Sequence, residues 1–159
     1  ANLTDEEKQL CDTALWKAMD VVMKVPITNE TWGLIHADLR PSNVIRGNDG
    51  RLTVIDFDDA GYSWYLYDYA SSLSFIEHEP YAPDLAKAWV KGYQRVAGSF
   101  TDEELRIMSA LSMIRRMQML GWTTSHREDA LPDGLAAQQA PGSVMCAKNY
   151  LEDPLWLLH

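Results

Sequence analysis

The sequence predicts a mainly α-helical domain with a small antiparallel β-hairpin element, an α+β class. Three observations predict it. Two capping boxes, Thr4-Asp-Glu-Glu7 and Thr101-Asp-Glu-Glu104, each open a segment with apolar residues at helical spacing. The turn Gly47-Asn-Asp-Gly50 lies between two short apolar runs, as in a hairpin. After Phe57 the chain reads almost entirely as helix, with no alternation of strands and helices that would build a parallel sheet.

In chain order, Thr4 caps a first helix that runs to about Met23, with Leu10, Ala14, Leu15, Ala18, Val21 and Val22 on its apolar face. Val25-Pro26 closes it, because proline disfavours helix in the residue before it. Trp32 to Ile35 is a short buried strand. Val44–Arg46 and Leu52–Phe57 are the arms of the hairpin. Tyr65 to Ile76 reads as helix, and Pro80 and Pro83 mark a loop before another helix from about Asp84 to Val96. The second capping box starts a long helix, with Leu105, Met108, Leu111, Met117 and Leu120 on its stripe, that ends near Ser125 or His126. Asp129 to Gly142, with Pro132, Gly134, Pro141 and Gly142, reads as partly loop, and Val144 to Leu151 as a last helix before Pro154.

The 159 residues suffice for one domain with its own core. No run of 18 apolar residues is present, so no membrane span is expected, and the polar, acidic start does not read as a signal peptide. Cys11 and Cys146 lie far apart with no metal-ligand spacing, which favours free thiols and a cytoplasmic setting. A net charge of −9 argues against a nucleic-acid partner. The acidity is uneven: residues 38–84 hold nine acids and three bases, −6 of the −9. Such a stretch reads either as a solvated acidic surface or as a site for Mg²⁺ and a cationic substrate.

The chemistry concentrates in His36-Ala-Asp-Leu-Arg-Pro-Ser-Asn43 and Val54-Ile-Asp-Phe-Asp-Asp59. In order, these present His36, Asp38, Asn43 and, at a strand end, Asp56: the pattern His-x-Asp-x-x-x-x-Asn followed by Asp. Phosphoryl transfer needs a positioned carboxylate for the acceptor hydroxyl and hard ligands for metal ions that neutralise phosphate charge. Asp38 is the candidate base. His36, two residues earlier, faces the same way if the segment is extended, and braces the loop. Asn43 and Asp56 offer oxygen to Mg²⁺, and the hairpin brings them together. Asp58 shares the side of Asp56 if the chain stays extended, and is a candidate second metal ligand. Arg40 is a candidate phosphate contact, nearly balanced by a surface salt bridge. Asp59 reads as a turn former.

These motifs resemble the aminoglycoside phosphotransferase and choline kinase family, which has a protein-kinase-like fold. His36 to Asn43 is similar to its catalytic loop, Ile55 to Gly61 to its metal-binding segment, and Tyr67-Asp-Tyr-Ala70 to the helix start that follows. The resemblance implies Asp38 as catalytic base, Asn43 and Asp56 as Mg²⁺ ligands, Asp58 at a second Mg²⁺, and Asp68 as a buttress of the catalytic loop. It implies ATP as phosphoryl donor and a small-molecule hydroxyl acceptor bound among the later helices. Tyr62, Trp64, Tyr65, Tyr67 and Tyr69 are candidate cation–π groups, though mostly packing, and Trp122, His126, Arg127 and Glu128 are candidate pocket residues.

The resemblance is to the C-terminal lobe alone. Only 35 residues precede His36, and the family's strand lysine, its partner glutamate and its adenine-holding hinge are not identifiable. Lys24 is too close to the catalytic loop to be that lysine, and no G-x-x-x-x-G-K-[ST] motif occurs. The isolated chain is therefore expected to bind nucleotide poorly and to be inactive. Two other readings compete. One is a non-catalytic binding module, or pseudokinase fragment. The other is a haloacid-dehalogenase-like phosphatase with Asp56 as nucleophile and Asp58 as acid/base, which requires a doubly wound parallel sheet.

Overall fold

A computed structural model describes residues 3–125 and 133–159. It contains helices α1 (Asp5–Val22), α2 (Tyr67–Ser72), α3 (Ala82–Ala97), α4 (Asp102–Ser125) and α5 (Asp133–Glu152). The strands are β1 (Trp32–Ile35), β2 (Val44–Arg46), β3 (Leu52–Val54) and β4 (Gly61–Trp64). This is the mainly helical class with small antiparallel sheets that the sequence predicts. Both sheets are two-stranded and antiparallel, β1 with β4 and β2 with β3. The parallel sheet that the phosphatase reading requires is not among the described residues.

Both capping boxes form. The Glu7 amide donates to Thr4 Oγ1 at 3.2 Å, while Glu7 Oε2 accepts from the Thr4 amide at 2.7 Å. Thr101 and Glu104 repeat the exchange at 3.2 and 2.7 Å. On α1 the buried positions are Cys11, Ala14, Ala18 and Val22, a stripe at spacings of three and four that packs against α4 and α5. Small residues on this stripe let the helices approach closely. Burial pushes the Cys146 thiol, in the same core, up to about 12.

Three sequence expectations are corrected. The second hairpin arm ends at Val54 rather than Phe57, because after the Ile55 amide bonds the Asn43 carbonyl at 3.0 Å, Asp56 turns to φ 64°. The helix expected over Tyr65–Ile76 is only Tyr67–Ser72. Before it lies strand β4, whose Trp64 sits opposite Trp32 with ring centres 4.8 Å apart. The last helix begins at Asp133, not Val144, and runs through Pro141 and Gly142. Proline cannot donate to the helix ladder. Side-chain bonds tie this turn instead: Ser143 Oγ and Arg116 Nη2 both donate to the Gln139 carbonyl, at 2.7 and 3.0 Å. The stretch from Asp129 to Pro132 lies outside the described residues.

Helix α4 is buried on several sides, and it carries two arginines inward. Arg116 is completely buried; its Nη1 donates to Glu77 Oε2 at 2.7 Å and its Nε to Ser143 Oγ at 2.9 Å. Burial pushes the Glu77 carboxyl upward, and the adjacent Arg116 opposes that rise. Gly142 is required beside this pair, since a Cβ there would stand 2.7 Å from both Arg116 Nη2 and the His78 ring. The pair joins α4, α5 and the turns after α2. Arg116→Met leaves Glu77 buried and unpaired, and is expected to cost about 3–5 kcal/mol in denaturant unfolding; a loss under about 1 kcal/mol would show the pair to be dispensable.

Candidate active site

The site is built at the crossing of β1, the hairpin, α2 and α4. Its first element is the turn that follows β1. Asp68, in the first turn of α2, accepts the His36 amide at Oδ2 (3.0 Å) and the Ala37 amide at Oδ1 (2.8 Å). Ser71, one helical turn on, accepts the Leu39 amide at 3.0 Å. These bonds hold Ala37 at φ 66°, a left-handed conformation that a non-glycine residue adopts at a cost. Asp68 thus has the buttressing place that the family resemblance implies. The turn also means that residues 36–38 are not extended, so the argument that His36 and Asp38 face the same way does not apply.

His36 is a brace. Its Nε2 donates to the Ile55 carbonyl at 2.9 Å, and its Nδ1 accepts from the Asp38 amide at 3.3 Å. The ring also packs on Phe57, with centres 4.6 Å apart. It therefore ties the catalytic-loop candidate to the segment carrying Asp56, with both nitrogens occupied.

Asp38 is 7% exposed, and its carboxylate is gripped from three directions. Arg40 Nε and Nη2 each reach Oδ2 at 3.0 Å. Asn43 Nδ2 reaches the same oxygen at 3.0 Å and the Asp38 carbonyl at 2.8 Å. Arg115 Nη2, from α4, reaches Oδ1 at 2.9 Å. Arg40 therefore pairs with Asp38 in the free site, and its guanidinium also lies 5.6 Å from the Phe75 ring centre.

Asn43 closes a short 3₁₀ turn, Pro41–Asn43, immediately before β2. Its amide nitrogen faces two Asp38 acceptors, which leaves the amide oxygen as the atom available to a cation. The hairpin register pairs Val44 with Val54, so Asp56 emerges two residues past that pair, beside Asn43. Asp56 is exposed. One amide oxygen and one carboxylate suit a divalent ion that keeps most of its ligands as water and phosphate oxygen. No group of three or more His, Cys, Asp or Glu suited to a metal occurs among the described residues. Asp58 lies in a turn closed by the Ala60 amide on the Phe57 carbonyl at 3.0 Å. With Asp56 at φ 64° the chain is not extended here, so strand alternation does not put Asp58 on the side of Asp56.

A cavity of about 590 Å³ opens beside Asp38. Tyr67, Phe75, Arg115, Gln118 and Trp122 line it, together with Asp59 rather than Asp58. Of the aromatic candidates, Tyr67 and Trp122 reach this cavity; Tyr69 is fully buried in the core and Tyr62 is 74% exposed. His126, Arg127 and Glu128 lie outside the described residues. The residue that sequence reasoning missed is Arg115. Its signal was present: it sits one helical turn after Leu111, on the apolar stripe of α4, where a charge demands a buried partner.

A family model described as the phosphotransferase enzyme family matches residues 2–107. The chain belongs to this family. Amicoumacin kinase of Bacillus subtilis (strain 168) is 34% identical to it over 65 residues, which is 41% of this chain and 19% of that protein. Among solved structures, the microcompartment-associated aminopropanol kinase superposes with a TM-score of 0.82 at 30% identity, covering 98% of this chain and 49% of its own. An amicoumacin kinase in complex with AMP-PNP, Ca²⁺ and Ami gives 0.65 at 21% identity, covering 92% and 46%. The chain thus spans about half the length of these solved family structures. The matched family region contains all of His36, Asp38, Arg40, Asn43, Asp56, Asp58 and Asp68, while Arg115 lies beyond it.

Asp68→Ala removes the acceptor of two amides, each orphaned N–H costing roughly 1–3 kcal/mol. Amide exchange followed by NMR is expected to accelerate at His36 and Ala37 while α1 stays protected. Unchanged exchange at both amides would mean that Asp68 does not hold the turn.

Proposed function

We propose that this chain is the C-terminal catalytic and acceptor-binding lobe of an ATP-dependent kinase that phosphorylates a small-molecule hydroxyl. The observation that carries the reading is the Asp38 carboxylate, held at a cavity wall by Asn43, Arg40 and Arg115, with an exposed Asp56 just past the hairpin that Asn43 precedes. Family membership and the kinase relatives supply the reaction class.

In this reading the acceptor alcohol enters the cavity and hydrogen-bonds to Asp38. Its oxygen bonds to the γ-phosphorus as the bond to the β,γ-bridging oxygen breaks, and that electron pair leaves with ADP. The hydroxyl proton passes to Asp38. Mg²⁺, held by Asn43 Oδ1 and Asp56, would neutralise phosphate charge; AMP-PNP and Ca²⁺ in the amicoumacin kinase structure support a nucleotide and a divalent ion for this fold. A second ion, as the family resemblance implies, would be held by Asp58. Arg40, a partly exposed and bidentate-capable cation, would leave Asp38 for the transferred phosphate. His36 stays a brace.

The nucleotide-gripping lobe is proposed to be a separate, upstream part of the protein. Coverage of about half of each solved relative supports this. So do the large apolar side chains left exposed on the strands, Leu34, Ile45, Leu52 and Tyr62, and Phe57 just past the hairpin. Alone, the chain would be a binding module without turnover. Two buried free cysteines fit a reducing, cytoplasmic compartment, and no described helix is long and apolar enough to cross a membrane.

The acceptor is proposed to be a short alcohol bearing an ammonium group. The aminopropanol kinase relative supports this, as do Asp59 and the Tyr67 and Trp122 rings around the cavity. The test joins this chain to its upstream half. It measures transfer from Mg·ATP to aminopropanol, choline-like alcohols, amino sugars, homoserine and neutral sugars. Asp38→Asn is expected to lower kcat by roughly 10²–10⁴-fold with the fold intact; undiminished turnover in that variant would refute the assignment.

A further inference from the structure

The four groups around Asp38 do not load its two oxygens equally. A carboxylate offers about four lone-pair sites, two on each oxygen. Oδ2 already accepts two hydrogen bonds, from Arg40 Nε and Asn43 Nδ2, each at 3.0 Å, and Arg40 Nη2 lies in ionic contact at 3.0 Å. Oδ1 accepts one, from Arg115 Nη2 at 2.9 Å. The acceptor site left open on this carboxylate is therefore on Oδ1.

Arg115 is itself fixed. Its Nε donates to Ser74 Oγ at 3.0 Å and its Nη1 to the Tyr67 hydroxyl at 3.2 Å. Each of its guanidinium nitrogens thus has one acceptor, and the side chain is 9% exposed. The Tyr67 hydroxyl in turn donates to Gln118 Oε1 at 2.7 Å. Arg115 thus donates both to Asp38 and, through the Tyr67 hydroxyl, into a chain that ends on Gln118, along the cavity wall. It ties two helices and the turn after α2 to one carboxylate oxygen. Arg40, by contrast, grips from its own loop and has a side chain 30% exposed, so it can leave.

We propose that Arg115 is a positioning residue for phosphoryl transfer: it aims Asp38 so that Oδ1, not Oδ2, takes the acceptor hydroxyl's hydrogen bond and proton. This rests on the kinase reading above. Arg115 touches neither nucleotide nor acceptor in this role. It sets the direction of the oxygen that does, and its single hydrogen bond leaves that oxygen a second acceptor site. Misaiming a reacting group by about 1 Å costs roughly 10²-fold in rate.

The experiment uses the intact protein, this chain with its upstream half, assayed with Mg·ATP and the amino alcohol of the preceding test. Arg115→Ala is expected to lower kcat about 10²-fold while KM for ATP changes less than about twofold. Added guanidinium ion, at concentrations below those that unfold the protein, is expected to restore roughly tenfold in Arg115→Ala and nothing in Asp38→Asn. A folded Arg115→Ala that keeps kcat within about twofold, or whose lost activity guanidinium does not raise, overturns the proposal and leaves the kinase reading standing. If Arg115→Ala does not fold, the double variant Ser74→Ala, Tyr67→Phe decides, because it frees the same guanidinium without emptying its site. A loss in kcat of about tenfold supports the proposal there, and a change under about twofold overturns it. Full turnover by Asp38→Asn, or none by the unsubstituted protein, defeats the kinase reading, and this proposal with it.

Discussion

One carboxylate beneath the turn fixes the rest of the site. Asp68 accepts two consecutive amides, and so holds Ala37 in a left-handed conformation that its side chain disfavours. From that turn follow the direction of His36 toward Ile55 and the direction of Asp38 toward the cavity. Hydrogen bonds to a charged acceptor are worth more than neutral ones, about 1.5–3 kcal/mol each. Two of them on one carboxylate are enough to offset the backbone strain.

Helix α4 then completes the site and the core with adjacent residues. Arg115 points to Asp38, Ser74 and Tyr67; Arg116 points to Glu77, Ser143 and Gln139. A step of one residue rotates the direction by about 100° on a helix, so one helix serves the site on one side and the packing on another. Both arginines are buried with partners, which is the condition under which a charge is tolerated there. The site's geometry is thereby coupled to the packing of α4 against α1 and α5.

Local rules made much of this legible in the sequence. Thr4 and Thr101 announce their helices because a cap is a contact between neighbours three residues apart. Gly47 to Gly50 announces the hairpin because Gly50 sits at φ 80°. His36, Asp38, Asn43 and Asp56 were readable as a set because their spacing encodes one loop and one hairpin. What escaped depends on distant partners. Strand β4 is four residues long and exists through its pairing with β1. The passage of α5 through Pro141 is tied by Arg116, 23 positions from the carbonyl that it holds. Arg115 finds Asp38 across 77 positions, a distance that no local pattern reports.

The chain thus carries the proposed base, its proposed positioning groups and three metal-ligand candidates, while the grip on ATP is assigned to residues outside it. Calorimetry with Mg·AMP-PNP tests this division directly. This chain alone is expected to show no binding tighter than about 1 mM, whereas the same chain joined to the proposed upstream lobe is expected to bind in the micromolar range. Micromolar binding by the chain alone would contradict it.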